Sequence, residues 1–369
     1  MSLEEQWVAT EDRLLHETES LGGLLGQLRD RVSSGLIGDE EWGKILERAR
    51  GLPVTMGAFP FGFELLMHES RPGADFGASL VGGSQSAAFF EKRSKTKDAD
   101  PATAGVAWLL KETEPESAPL RRIAGRKMLL EYDVDQIPSG EFPDPGIFLY
   151  PADQVLAGDG SDQRLHELRI VADAVASATN RRLNEAEHRQ IDQVFLAMNP
   201  NTSVRAVGAF PSRAREIRLT ATGFRKADEV GEFLKRTNWP GQHSAVTSTV
   251  SHLEEREAFA YVGIHYDVAE NGVGPTLGLS FFAKEGQWLK DVRHWTPLID
   301  SIREEQLAVP EKLSELVAWS SGSEPLSGKS GSFVLVRGIH HIKFTLVDDR
   351  VEQVKAYIFL LLLAWPLTG

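Results

Sequence analysis

The sequence predicts an α+β protein: a ten-stranded antiparallel β-barrel with a polar lumen, surrounded by helices. Three observations carry this expectation. Helical sequence followed by two strand-like runs recurs five times, with the strand pairs at 59–82, 126–151, 203–222, 258–283 and 333–359. Such a repeated unit cannot bury its apolar face alone. Within each pair, alternate residues split into one apolar and one polar face. The helical stretches between pairs carry apolar stripes that need a sheet face to cover. No linker cuts the pattern, so one domain is expected over 1–369, with repeats near 1–83, 84–151, 152–223, 224–283 and 284–369.

In the first pair, Phe63, Leu65 and Met67 oppose Gly62, Glu64 and His68, while Phe76, Ala78 and Leu80 oppose Asp75, Gly77 and Ser79. Pro53 and Pro60 frame its start. In the second, Met128, Leu130, Tyr132 and Val134 oppose Leu129, Glu131 and Asp133. Two helices follow, marked by Leu165, Leu168, Val171, Ala172 and Val175, then by Ile191, Val194, Phe195 and Met198, with Asp162 or Asn184 suited to cap them. The third pair sets Ile217, Leu219 and Ala221 against Glu216, Arg218, Thr220 and Thr222. NWPG at 238–241 breaks the helical sequence that follows. In the fourth pair Val262, Ile264, Tyr266, Leu277, Leu279 and Phe281 are apolar, and Tyr261, Gly263, His265, Asp267, Thr276, Gly278 and Ser280 face the other way. Pro310 starts a helix over 311–319. The fifth pair opposes Ile342, Phe344, Leu346, Val354, Ala356 and Ile358 to His341, Lys343, Thr345, Gln353, Lys355 and Tyr357, with a turn at 347–350.

Segments 82–102, 158–162 and 320–332, rich in Gly, Ser and charge, read as loops. Trp239, Trp288, Trp295 and Trp319 read as packing anchors. If helices cover the apolar faces, the polar faces meet solvent in an open sheet or line a wet lumen in a closed one. Five pairs with no surplus element to cap an edge favour closure.

Composition narrows the function. With no cysteine, disulfides, thiolate catalysis and cysteine-bound metal are excluded. A net charge of −13 argues against nucleic-acid partners, which need basic surfaces to neutralise phosphate. The apolar run at 357–366 is far shorter than the roughly twenty residues that span a bilayer. The first residues show no basic and apolar leader, so a cytoplasmic protein with no membrane partner is expected. No Walker, GxGxxG, GxSxG or HExxH arrangement occurs. His265 and Asp267 share a face as a base and its orienter would, a spacing that also arises by accident. Adjacent His340 and His341 are expected on opposite faces, which speaks against a shared metal.

The five-fold order, with GFEL at 62–65, REIRL at 215–219 and VKAY at 354–357, resembles the ABBA, or PT-barrel, aromatic prenyltransferases. Length and order are similar to their dimethylallyltryptophan-synthase branch. The resemblance implies a barrel enclosing an aromatic acceptor, small molecule or peptide, and an allylic prenyl diphosphate, in natural-product (secondary) metabolism. It maps the acceptor-binding, catalytic carboxylate to Glu64 and diphosphate contacts to Arg218, Lys355 and Tyr357, with Arg205 and Lys343 as further bases. Tyr261, Glu131, Gln353, His265, Asp267 and His341 complete the lumen candidates.

The pattern departs from the family in three repeats. GIF at 146–148, Gly278 with Ser280, and Asp75 with Gly77 and Ser79 stand where bases are expected. A buried diphosphate needs several cations, and Glu64, Asp75, Glu131, Glu216 and Asp267 oppose it. No cofactor is required, although bound Mg²⁺ would reconcile acids with a diphosphate. Internal ion pairs with neighbouring acids are the competing expectation for Arg218 and Lys355. For Glu64 the competing place is a solvated sheet end, and for Tyr357 the core. A second function therefore stands beside prenyl transfer: a PT-barrel-like protein with a degenerate diphosphate site, binding, assisting or catalysing other chemistry on a natural-product intermediate.

Overall fold

The structure, a computed structural model, describes residues 3–134, 145–152, 154–213, 216–283, 294–319 and 322–365. Trp288 and Arg215 of the sequence analysis lie outside them. The first beat comprises α1 (Leu3–Leu14), α2 (Leu21–Gln27), α3 (Asp39–Ala49), β1 (Phe61–Leu66) and β2 (Ala74–Val81). The second has α4 (Gln85–Arg93), α5 (Pro101–Glu112), α6 (Pro119–Ala124), β3 (Lys127–Tyr132) and β4 (Gly146–Leu149). The third has α7 (Asp162–Ala178), α8 (Glu185–Leu196), β5 (Ser203–Ala209) and β6 (Ile217–Phe224). The fourth has α9 (Ala227–Arg236), α10 (His243–Glu255), β7 (Tyr261–Ala269), β8 (Gly272–Val273) and β9 (Leu277–Phe282). The fifth has α11 (Thr296–Glu304), α12 (Pro310–Ala318), β10 (Gly322–Ser327), β11 (Ser332–Val347) and β12 (Arg350–Ala364).

Ten of these strands close a ring. β1 to β7 pair in sequence order, β7 pairs β9, β9 pairs β11, β11 pairs β12, and β12 returns to β1, every contact antiparallel. The short β8 and β10 hang on β7 and β11 outside the ring. Closure leaves no long edge unpaired. This is the helix-wrapped, ten-stranded antiparallel barrel that the PT-barrel resemblance implies.

Strand alternation decides which side chains meet the helices. Phe63, Phe76, Tyr132, Ile217, Leu219, Tyr266, Phe281 and Phe344 are all buried in the layer between barrel and helices. Phe63, Phe76 and Tyr132 touch ring to ring across three strands, with centroids 5.9 and 6.1 Å apart. Trp239, Trp295 and Trp319 are buried as anchors in the same layer. Helix starts follow local chemistry: the Asn184 side chain and Glu187 form a reciprocal capping box on α8. For α7 the cap is Ser161, which accepts the Arg164 N–H, rather than Asp162, already the first helical residue.

Two expected loops hold structure. Segment 82–102 contains α4, started by the Ser84 side chain, and segment 320–332 contains β10. The last strand also runs beyond the expected pair, to Ala364. Alternation fades there because Phe359, Leu360, Leu362 and Ala364 are all buried. Helix α1 covers the end of β12: Gln6 Nε2 donates to the Ala364 carbonyl at 2.6 Å, and Thr10 Oγ1 accepts its N–H at 2.9 Å. No helix among the described residues is long and apolar enough to cross a membrane.

Candidate functional site

The lumen face is read off the strand registers as a set of rows. One row runs Tyr357–Glu64–Asp75, from β12 across β1 to β2. It extends back through an aromatic ladder: Tyr357 stacks on His341 at 4.0 Å between centroids, His341 on Phe282 at 5.2 Å, and Phe282 on Tyr261 at 4.6 Å. A second row runs Thr222–Gly263–Ser280–Lys343–Lys355. A third runs Phe359–Gly62–Gly77–Glu131–Gly146, and a fourth Ser79–Leu129–Phe148–Gly208–Arg218–Asp267. Alternation along β1, β3, β6, β11 and β12 thus brings Glu64, Glu131, Arg218, Lys343, Lys355 and Tyr357 to the inner face.

Most of these charges are closed on one another. Glu64 accepts from Lys355 Nζ at 2.5 Å and, through its other oxygen, from the Tyr357 hydroxyl. Arg218 meets Asp267 with two hydrogen bonds of 2.7 Å. Both ion pairs are the ones expected as the competing reading of the two bases. Arg213, in the turn after β5, takes both oxygens of Asp133 and lies 3.6 Å from Asp75. Lys343 and Glu131 are different: neither makes a hydrogen bond or ion pair among the described residues. Gly278 makes room for Lys343, whose Cε lies 2.7 Å from where a Cβ would stand. The glycine that replaces an expected base on β9 is therefore the floor under a lysine from β11.

Burial and neighbouring charge set the proton affinities. Burial, then repulsion from Glu64 and Asp133, pushes Asp75 up to about 7. Burial and Glu64 likewise push Glu131 up to about 7. Burial also raises Glu64, but Lys355 and Lys343, with the bonds from Lys355 and Tyr357, hold its carboxyl well below the usual range. Burial, together with Arg218 and Lys355, brings Lys343 down to about 8. His265 and His341 are kept neutral, first by burial and then by nearby positive charge.

Several expectations change. His265 and Asp267 are not a base and its orienter. His265 staples three strands, Nδ1 to Thr220 Oγ1 at 3.1 Å and Nε2 to Ser280 Oγ at 2.7 Å, while Asp267 is given to Arg218. His340 and His341 do not diverge: a register shift between Ile339 and His341 sets their Nδ1 atoms 2.7 Å apart. The cause is the bulge, which breaks strict alternation. Arg205 lies at another bulge, between Val204 and Ala206, where burial lowers its proton affinity and Tyr261 acts against that shift. Gln353 pairs with Thr345, beyond Lys355.

Sequence reasoning missed the apolar part of the lumen. Phe148, Ala206 and Phe210, with Leu129 and Tyr150, form a cluster separate from the main core. Phe148 of β4 lies over Gly208 of β5, and Phe210, just past the end of β5, lies over Gly146 of β4. Arg213 and Arg218 both stand over the Phe210 ring, at 4.3 and 5.0 Å from its centroid. The signal was present, since the run 146–150 alternates Gly146, Phe148 and Tyr150 on one face. Among the described residues no three His, Asp or Glu side chains are grouped to hold a metal ion.

No family profile and no curated protein matches the chain. Among solved structures it is similar to the prenyltransferase PriB in a ternary complex with L-tryptophan and dimethylallyl thiolodiphosphate, at 13% identity over 92% of this chain and 95% of that one, TM-score 0.49. It is also similar to a 6-dimethylallyl tryptophan synthase, at 9% identity over 96% and 95%, TM-score 0.49. A third is 5-dimethylallyl tryptophan synthase from Streptomyces coelicolor in complex with DMASPP and Trp, at 13% identity over 93% and 95%, TM-score 0.44. Similarities of this size bear on no residue's role.

Proposed function

We propose that the lumen is the functional site and that the protein is a prenyltransferase-like enzyme of natural-product biosynthesis in the cytoplasm. It moves a prenyl group from an allylic diphosphate to an electron-rich aromatic acceptor, small molecule or peptide. The observation that carries this reading is the gathering of Lys343, Lys355, Arg218 and Tyr357 on a lumen that also holds Glu64 and an aromatic wall. The Arg218 fork, now on a carboxylate, fits two phosphate oxygens equally well. Lys343 has its charge to spare. Near neutral pH Asp75 and Glu131 are partly protonated, which lessens the repulsion a diphosphate meets. The bases then stabilise the departing diphosphate, the aromatic ladder faces the allylic cation, and Glu64 orients Lys355, Tyr357 and the acceptor.

A second reading has its own observation. Arg218 and Lys355 are each satisfied by a carboxylate, and Gly278 and Ser280 supply no base. On that reading the diphosphate site is degenerate and the lumen binds or converts a different natural-product intermediate. Thermal unfolding with thiolodiphosphate analogues of dimethylallyl and geranyl diphosphate, with and without Mg²⁺, separates the two. Transfer expects stabilisation that grows with concentration, about 2.7 kcal/mol at a hundred times Kd. No shift at millimolar analogue rejects transfer and leaves the second reading.

A further inference from the structure

We propose that the acceptor lies on the apolar shelf of Leu129, Phe148 and Phe210, and that Glu131, at the edge of that shelf, takes its proton. This rests on the transfer reading and assigns within it a step that the family resemblance gives to Glu64.

The two carboxylates are placed for different work. Both oxygens of Glu64 are occupied, one by the Lys355 ammonium and one by the Tyr357 hydroxyl. A carboxylate so stabilised is a weak base. Asp133 is likewise taken by Arg213 and Asp267 by Arg218, while Asp75 accepts the Val134 N–H at 3.1 Å. Glu131 alone of these acids has no hydrogen-bond partner among the described residues. Its row carries no side chain on either neighbouring strand. The positions beside Glu131 on the neighbouring strands are Gly77 and Gly146, and Gly62 lies one strand further on. The side chains that reach this row are apolar ones, since the Phe210 ring covers Gly146 and the Leu129 Cδ1 lies 3.6 Å from where a Cβ of Gly77 would stand. A flat apolar acceptor laid along Leu129 and the edges of the two phenylalanines, with Arg213 and Arg218 keeping their place over the Phe210 ring, brings its own edge to Glu131.

The step balances without a further reactant. The C1–O bond of the allylic diphosphate breaks, its electron pair leaving with the diphosphate. A ring carbon of the acceptor forms the new C–C bond with a π pair. The proton on that carbon passes to a Glu131 oxygen, and the C–H pair restores the aromatic ring. Glu131 becomes the neutral acid, the form its burial favours, and later returns the proton to water. A proton affinity near the working pH suits a general base. The charges that bear on it come from all sides of the barrel: Glu64 repels the carboxylate, while Lys343, Arg213 and Arg218 favour it. Tyr150 and Tyr357 are the phenols that feel its charge.

Two measurements test this, the first without turnover. Infrared difference spectra of wild type minus Glu131→Gln, titrated with acid, should show a carboxyl that protonates near pH 7, and saturating indole as a neutral aromatic probe should move it. A Glu131 that protonates in the ordinary carboxylate range, or that indole leaves unmoved, overturns the inference. The second uses dimethylallyl diphosphate with indole and tryptophan as acceptors. Glu131→Gln should lower kcat about 10²–10⁴-fold with the KM of the donor unchanged, and should lose the acid limb that wild type shows as pH falls through about 7. Glu131→Asp should recover part of the rate and keep the limb. Full kcat in Glu131→Gln overturns the inference and leaves transfer standing. No transfer by wild type rejects the transfer reading instead, and the infrared result then decides whether Glu131 meets an aromatic ligand.

Discussion

Glu64 and Lys355 sit at the meeting of β1 and β12, with side chains only 9% and 12% exposed. Removing one member of such a pair leaves an uncompensated charge, so Lys355→Met is expected to cost about 3–5 kcal/mol in urea unfolding. The double variant Glu64→Gln with Lys355→Met should recover much of that loss, and a double-mutant cycle reads the coupling. Glu131 and Asp75 act in the opposite sense. Their proton affinities are raised on folding, so between the ordinary carboxylate range and about pH 7 the native state holds more protons than the unfolded chain. Their contribution to stability is then fully present below about pH 4 and is lost as pH rises to about 7, by up to about 1 kcal/mol per pH unit for each group. Glu131→Gln and Asp75→Asn should each flatten that decline in chemical denaturation curves collected across the range.

At the scale of elements, strands β4 and β5 are joined by rings laid over glycines. A Cβ at Gly208 would stand 2.2 Å from the Phe148 ring, and one at Gly146 2.5 Å from Phe210. Gly208→Ala and Gly146→Ala should therefore each cost about 1–3 kcal/mol through overpacking, read as a lower midpoint in thermal melts. What the sequence discloses about these elements follows their regularity. Alternation has a fixed period, so Glu64, Arg218, Lys343 and Lys355 were assignable to the polar face one residue at a time. Bulges carry no such mark: His340 comes to the side of His341 because one inserted residue re-aims its neighbours. The pairing of Arg218 with Asp267 depends on the register between two strands 49 residues apart, which neither strand encodes by itself. Arg213 lies in a turn, where no face is defined and alternation carries no information.

For the whole molecule, the five-fold beat made the ring legible before any contact was known, since ten strands with no capping element have few other ways to hide their edges. The ring depends on β12. A chain ending before Arg350 would expose the edges of both β1 and β11, and it is expected to aggregate and to lose binding of diphosphate analogues. Size-exclusion chromatography with light scattering checks the first outcome, and a monodisperse truncated chain would count against closure as the source of solubility.

The bond between Glu64 and Lys355 spans 291 residues of chain. During synthesis β1 emerges long before its partner, and until β12 arrives it is a raw edge open to any passing strand. A carboxylate on the inward face of that edge makes the wrong partner costly, because it would be trapped without a counter-ion. Lys355 arrives on the strand that pairs with β1 and bonds the carboxylate directly, with Lys343 of β11 adding its charge. The pair is thus expected to act as a lock on assembly, disfavouring premature zippering of the nascent sheet and yielding to the strands that complete the ring.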